Sequence, residues 1–133
     1  MIAINKKVQL LLDAITEHEG WHAVGSKTHR NGSIAYRNHN PGNLRSSPFQ
    51  ISTNEGFAVF NGDMVGLMAL QWDLLQKSKG NTVTSLNGDS TLRDLIFTYA
   101  PPGDNNDSEA YLQAVLTKTG FSNDITLRQI FEN

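Results

Sequence analysis

The chain has 133 residues, no cysteine, 38% hydrophobic and 18% charged residues and a net charge of −2, and it is sized for one domain spanning residues 1–133. This composition excludes disulfides, thiolate zinc sites and cysteine nucleophiles, and it lies in the globular rather than the disordered range. The densest basic spots are Lys6-Lys7 and Lys77-Ser78-Lys79, so a nucleic-acid partner is not expected, because phosphate contacts dominate that kind of affinity.

In chain order, Val8, Leu11, Leu12 and Ile15 follow helical spacing behind a capping Asn5, which predicts a helix over 5–19 stopped by Gly20. Residues 20–56 are rich in Gly, Ser, Asn and Pro and read as turns with at most a small hairpin. Gly56-Phe57-Ala58-Val59-Phe60 reads as a short buried strand or extended segment. Asn61 or Asp63 then caps a helix to about 79, with Leu67, Leu70, Leu74 and Leu75 on one side and Trp72 expected in the core. Ser90 is the expected cap of a helix over 91–99, ended by Pro101-Pro102-Gly103. Asn106 or Asp107 opens another helix, running to Thr119 and closed by Gly120, and Thr126 starts a last short one. The expected class is α+β, mostly helical, with a small irregular strand-containing lobe. No stretch approaches the ~20 apolar residues of a membrane span, so stable membrane insertion is not expected. The N-terminus does not read as a secretory signal either, since Gln9 and Asp13 interrupt its apolar run.

Two kinds of chemistry compete for one segment. His18-Glu19-Gly20-Trp21-His22 spells H-E-x-x-H, which on a continuous helix sets two imidazoles on one face to bind zinc beside a general base. The longer metalloprotease pattern finds its glycine at Gly25 but meets Thr28 where a third histidine is needed, with His29 one place late. Gly20 between the two histidines also costs a helix about 1 kcal/mol relative to Ala. On that count no metal or cofactor is expected.

The alternative takes Glu19 as an acid at the end of the first helix. Glu19-Gly20-Trp21 is followed by Gly32-Ser33-Ile34-Ala35-Tyr36 and then by Arg37-Asn38-His39-Asn40-Pro41-Gly42-Asn43-Leu44-Arg45. Phe57-Ala58-Val59-Phe60, Tyr99-Ala100-Pro101-Pro102, Asp104-Asn105-Asn106 and Tyr111-Leu112-Gln113-Ala114-Val115 come after it in order. This ordered set resembles a phage and bacterial family of lysozyme-superfamily lytic transglycosylases, over about residues 10–120. The stretch between His22 and Gly32 is longer than the family pattern. The resemblance implies a lysozyme-like fold, with Glu19 as the acid that protonates the glycosidic oxygen of peptidoglycan. It further implies substrate contacts from Ser33, Arg37, Asn40, Asn43, Tyr99 and Tyr111. From the residues alone, Arg37 could instead clamp loop carbonyls, and Tyr111 could equally be core.

The residue types suit the reaction. Glycoside cleavage passes through an oxocarbenium-like state whose leaving oxygen needs a proton. A carboxyl can supply it near neutral pH when burial and a helix C-terminus disfavour its charged form. Glu55, Asp63 and Asp104 are the candidates for a second carboxylate, and none has a persuasive position in the sequence. That favours a lytic transglycosylase, in which the substrate's own 6-hydroxyl replaces water, over a muramidase. A wall-binding or virion structural module that keeps the fold without turnover is the non-enzymatic alternative. The expected partner is the glycan strand, with virion or secretion-machine proteins as further partners. The expected workplace is the periplasm or cell wall, reached by virion, lysis pore or secretion machine.

Overall fold

Local capping sets most of the helix boundaries. In the computed structural model, which describes residues 5–21 and 33–132, α1 spans Lys6–His18. Asn5 Oδ1 accepts the Val8 N–H at 2.8 Å and Asn5 Nδ2 donates to the Ile130 carbonyl at 3.1 Å, so one side chain caps α1 and ties it to the C-terminal helix. Val8, Leu11, Leu12 and Ile15 are all 4% exposed or less, as their spacing predicts.

The described residues are mostly helical with one small sheet. After α1 come α2 (Ile34–Arg37), the strands β1 (Ser52–Asn54) and β2 (Phe57–Val59), α3 (Asp63–Ser78) and α4 (Leu92–Tyr99). A 3₁₀ turn over Pro102–Asp104 leads to α5 (Ser108–Thr119) and α6 (Leu127–Phe131). β1 and β2 pair antiparallel with Thr53 opposite Ala58, forming the small hairpin expected of the irregular lobe. No helix among the described residues is long and apolar enough to cross a membrane.

The chain divides into two compact units: the residues up to Ala14 together with those from Leu74 onward, and Ile15–Asp73. In the first unit, α4 is capped by Thr91 rather than Ser90. The Thr91 side chain accepts the Asp94 N–H while the Asp94 carboxylate accepts the Thr91 N–H, a reciprocal box that Ser90 cannot form at its spacing. Thr126 and Gln129 repeat the device at α6, Asp107 caps α5, and Gly120 ends α5 in the left-handed conformation. Thr91 and Thr126 also bridge antiparallel, with Leu92 N donating to Ile125 O and Leu127 N to Ser90 O, both at 2.9 Å.

In the second unit the apolar interior includes Ile15, Ala35, Leu44, Ala58, Phe60 and Leu70. Trp72 is not part of it. The residue is 40% exposed and meets Phe49 edge-on, with ring centroids 5.5 Å apart. The cause is angular. Leu70 and Leu74 define the buried side of α3, and a residue two places from each lies about 200° around a 3.6-residue helix. Met64 and Met68 share that outward stripe, at 65% and 63% exposure.

Candidate active site

α1 stops at His18 because Gly20 adopts φ +87°, a left-handed conformation that side-chain-bearing residues avoid. The Glu19 N–H still reaches the Ile15 carbonyl at 2.9 Å, and Trp21 N turns back to Thr16 O at 3.0 Å. Glu19 therefore stands half-buried at the corner where the helix ends. This break bears on the H-E-x-x-H reading, since two imidazoles on one helical face need a helix that continues through Gly20. His22, Gly25, Thr28, His29 and Gly32 lie outside the described residues. Partial burial holds His18 below the usual imidazole value of 6.5, although a helix C-terminus alone would favour its cation. Among the described residues no group of three or more potential metal-ligating side chains converges.

Ser33 connects this corner to the asparagine-bearing turn. Its hydroxyl donates to the Gly20 carbonyl at 3.2 Å and accepts the Tyr36 N–H at 3.0 Å, so it caps α2 while pinning the turn beside Glu19. α2 is a single turn that composition did not predict. It closes in a Schellman arrangement, with His39 N donating to Tyr36 O at 3.1 Å and Asn40 N to Ala35 O at 2.9 Å. The left-handed residue of that motif, ordinarily glycine, is His39 with φ 51°.

The Asn40-Pro41-Gly42-Asn43 turn closes through Asn43 N donating to Asn40 O at 2.9 Å. Asn40 is 0% exposed. Its Nδ2 donates to the Leu44 and Ala58 carbonyls, both at 2.9 Å, and its Oδ1 accepts the Leu44 N–H at 2.9 Å. With both amide hydrogens engaged in the interior, Asn40 presents none to a ligand. Its side chain braces the turn from within, which does not fit the contact role that the resemblance implies. Asn43 is left-handed at φ 51°, and its Oδ1 is buried with no hydrogen-bond partner among the described residues, as is Asn38 Nδ2. Asn38 otherwise serves the hairpin: its carbonyl accepts Phe60 N at 3.0 Å and its Oδ1 accepts from Asn54 Nδ2 at 3.0 Å.

Arg37 does clamp the loop. Its Nε donates to the Ser33 carbonyl at 3.4 Å, and its Nη2 meets Glu55 Oε2 at 3.3 Å with both side chains substantially exposed. An exposed pair of this kind is worth under about 1 kcal/mol. Glu55 is thus committed to Arg37. Asp104, in the other unit, is exposed in its 3₁₀ turn. The third candidate, Asp63, sits in the first turn of α3, where its Oδ1 accepts from the Trp21 indole Nε1 at 3.4 Å and contacts His39 Nδ1 at 3.0 Å. Neither contact is legible from sequence spacing.

Gly66 is a further residue that sequence reasoning missed. A Cβ there would lie 2.1 Å from the His39 carbonyl oxygen and 2.6 Å from Pro41 Cδ, so the asparagine turn rests directly on α3. Gly66→Ala should destabilise the fold by about 2 kcal/mol despite Ala's better helix propensity, because the obstructing atom is backbone. Equilibrium denaturation checks this, and an unchanged or raised midpoint would contradict the packing described.

Tyr99 and Tyr111 belong to the first unit. Tyr111 is 2% exposed and sits in the core face of α5, whereas Tyr99 is half-buried with Lys77 Nζ 5.1 Å from its ring centroid. Glu19, Ser33, Arg37, Asn40 and Asn43 all fall in the second unit. Comparisons with protein-family models, with curated proteins and with solved structures return no match.

Proposed function

We propose that this protein is a lysozyme-like enzyme that cleaves the β-1,4 bond between N-acetylmuramic acid and N-acetylglucosamine in peptidoglycan, as a lytic transglycosylase. The observation that carries the reading is the placement of Glu19, half-buried on a corner that Ser33 pins to the cap of the helix leading into the asparagine turn. The ordered motifs from Glu19-Gly20-Trp21 to Tyr111 supply the second support.

In this reading the Glu19 carboxyl protonates the glycosidic oxygen as the bond to C1 of muramic acid breaks. The substrate's acetamido group assists at C1, and its 6-hydroxyl then attacks there. The proton of that hydroxyl passes to Glu19, which ends the cycle as it began, and no water is consumed. Trp21 and Tyr36 are the nearby aromatic residues suited to stack against sugar rings, and Asn43 the amide suited to meet an acetamido or hydroxyl group. The glycan strand is the partner, met in the cell wall.

Mass spectrometry of digested sacculi separates this from hydrolysis. Anhydromuramyl products, one water lighter than reducing-end products, are expected. Reducing ends alone would make the enzyme a muramidase, and sacculus binding without soluble fragments would leave only a wall-binding module.

A further inference from the structure

Two of the motifs and the start of α3 meet at one carboxylate. Trp21 comes from the Glu-Gly-aromatic segment, His39 from the asparagine turn and Asp63 from the start of α3, and both Trp21 Nε1 and His39 Nδ1 address Asp63 Oδ1. We propose that Asp63, steadied by His39, is a positioning residue that locks the Trp21 indole and thereby the turn carrying Glu19.

The choice of residue at position 39 supports this. The closing position of a Schellman motif is normally glycine, because a Cβ makes the left-handed conformation unfavourable by roughly 1 kcal/mol. His39 occupies it at φ 51°. Among the described residues the polar contact of the imidazole is the one with Asp63. Side-chain exposures of 51% for His39 and 43% for Asp63 make that contact a weak contributor to stability, under about 1 kcal/mol. The contact's effect is on geometry. Trp21 is two residues from Glu19, its own N–H is fixed to Thr16 O at 3.0 Å, and the intervening Gly20 carbonyl is held by Ser33. The indole is a further handle on this turn, and Asp63 holds it. Displacements of about 1 Å in a reacting group can cost about 10²-fold in rate, so a weak tether can matter far more to turnover than to folding.

The inference rests on the glycan-cleavage reading, and a mutant cycle keeps the two separable. Asp63→Ala and Trp21→Phe should each lower kcat on sacculi about tenfold with KM changed less than threefold. The double variant should be no worse than either single one, because both remove the same hydrogen bond. His39→Gly should unfold at the same or a higher temperature than the wild type while losing about threefold in kcat, a combination that a purely structural histidine does not produce. Asp63→Asn, which keeps an acceptor for the indole, should retain most activity. Additive losses, an Asp63→Ala variant with wild-type kcat, or a destabilised His39→Gly variant would overturn the proposal. So would wild-type release of reducing ends that Asp63→Ala abolishes, which would make Asp63 the second carboxylate of a hydrolase. If Glu19→Gln is as active as the wild type, the underlying reading fails instead.

Discussion

Glu19→Gln should release soluble fragments from purified sacculi about 10²–10⁴-fold more slowly than the wild type while unfolding at the same denaturant concentration. The substitution keeps the size and polarity of a half-buried side chain and removes its charge together with its capacity to deliver and take back a proton. The N–H to Ile15, the left-handed Gly20 and the Ser33 clamp involve no carboxylate and are kept in the variant. Binding to sacculi should therefore survive the change, and the loss should fall on kcat rather than KM. Fragment release at the wild-type rate would remove Glu19 from the chemistry.

The second large effect is expected at a residue that touches no substrate. Asn40→Ala strips three hydrogen bonds from a site with no exposed surface and leaves the Leu44 N–H and the Leu44 and Ala58 carbonyls short of a partner. Each buried group left unsatisfied costs about 1–3 kcal/mol, and partial rescue by the Ala58 N–H to Leu44 O bond trims the sum. A loss of about 3–5 kcal/mol is expected, a large share of the 5–15 kcal/mol typical of a domain, with the urea midpoint lowered and its slope unchanged. Asn40→Asp sharpens the test. It keeps the acceptor for Leu44 N but turns a carboxylate oxygen toward two carbonyls 2.9 Å away. Protonation restores one donor, so this variant should recover stability relative to the wild type as pH falls. A midpoint shift under about 1 kcal/mol for Asn40→Ala would mean the amide is not engaged as described.

What could be read from the sequence was what is local. Asn5, Thr126 and Gly120 act within one turn of the backbone they cap, so their neighbours in the chain suffice to identify them, whereas the choice between Asn106 and Asp107 is made only by the structure. Thr91 displaced Ser90 because only its spacing to Asp94 closes the reciprocal box. The one-turn α2 escaped notice because four residues carry too little periodicity to stand out from the surrounding Gly and Asn. Trp72 was misjudged by residue type, when its angle from Leu70 and Leu74 already set it outside. In the candidate site, Glu19 and the asparagine turn were legible as motifs, whereas the division of labour within them was not. Asn40 and Asn43 look alike in a string of letters. Their different roles come from Ala58, eighteen residues beyond Asn40, and from the left-handed backbone at Asn43. Asp63 and Gly66 owe their roles to partners on distant segments, which no spacing rule reaches.

The most direct measurement is a crystal structure of Glu19→Gln soaked with a chitooligosaccharide. The account predicts a glycosidic oxygen within hydrogen-bond reach of the amide at position 19, with a neighbouring sugar against Asn43. A saccharide bound away from that corner, or none bound at concentrations that saturate the sacculus assay, would contradict it.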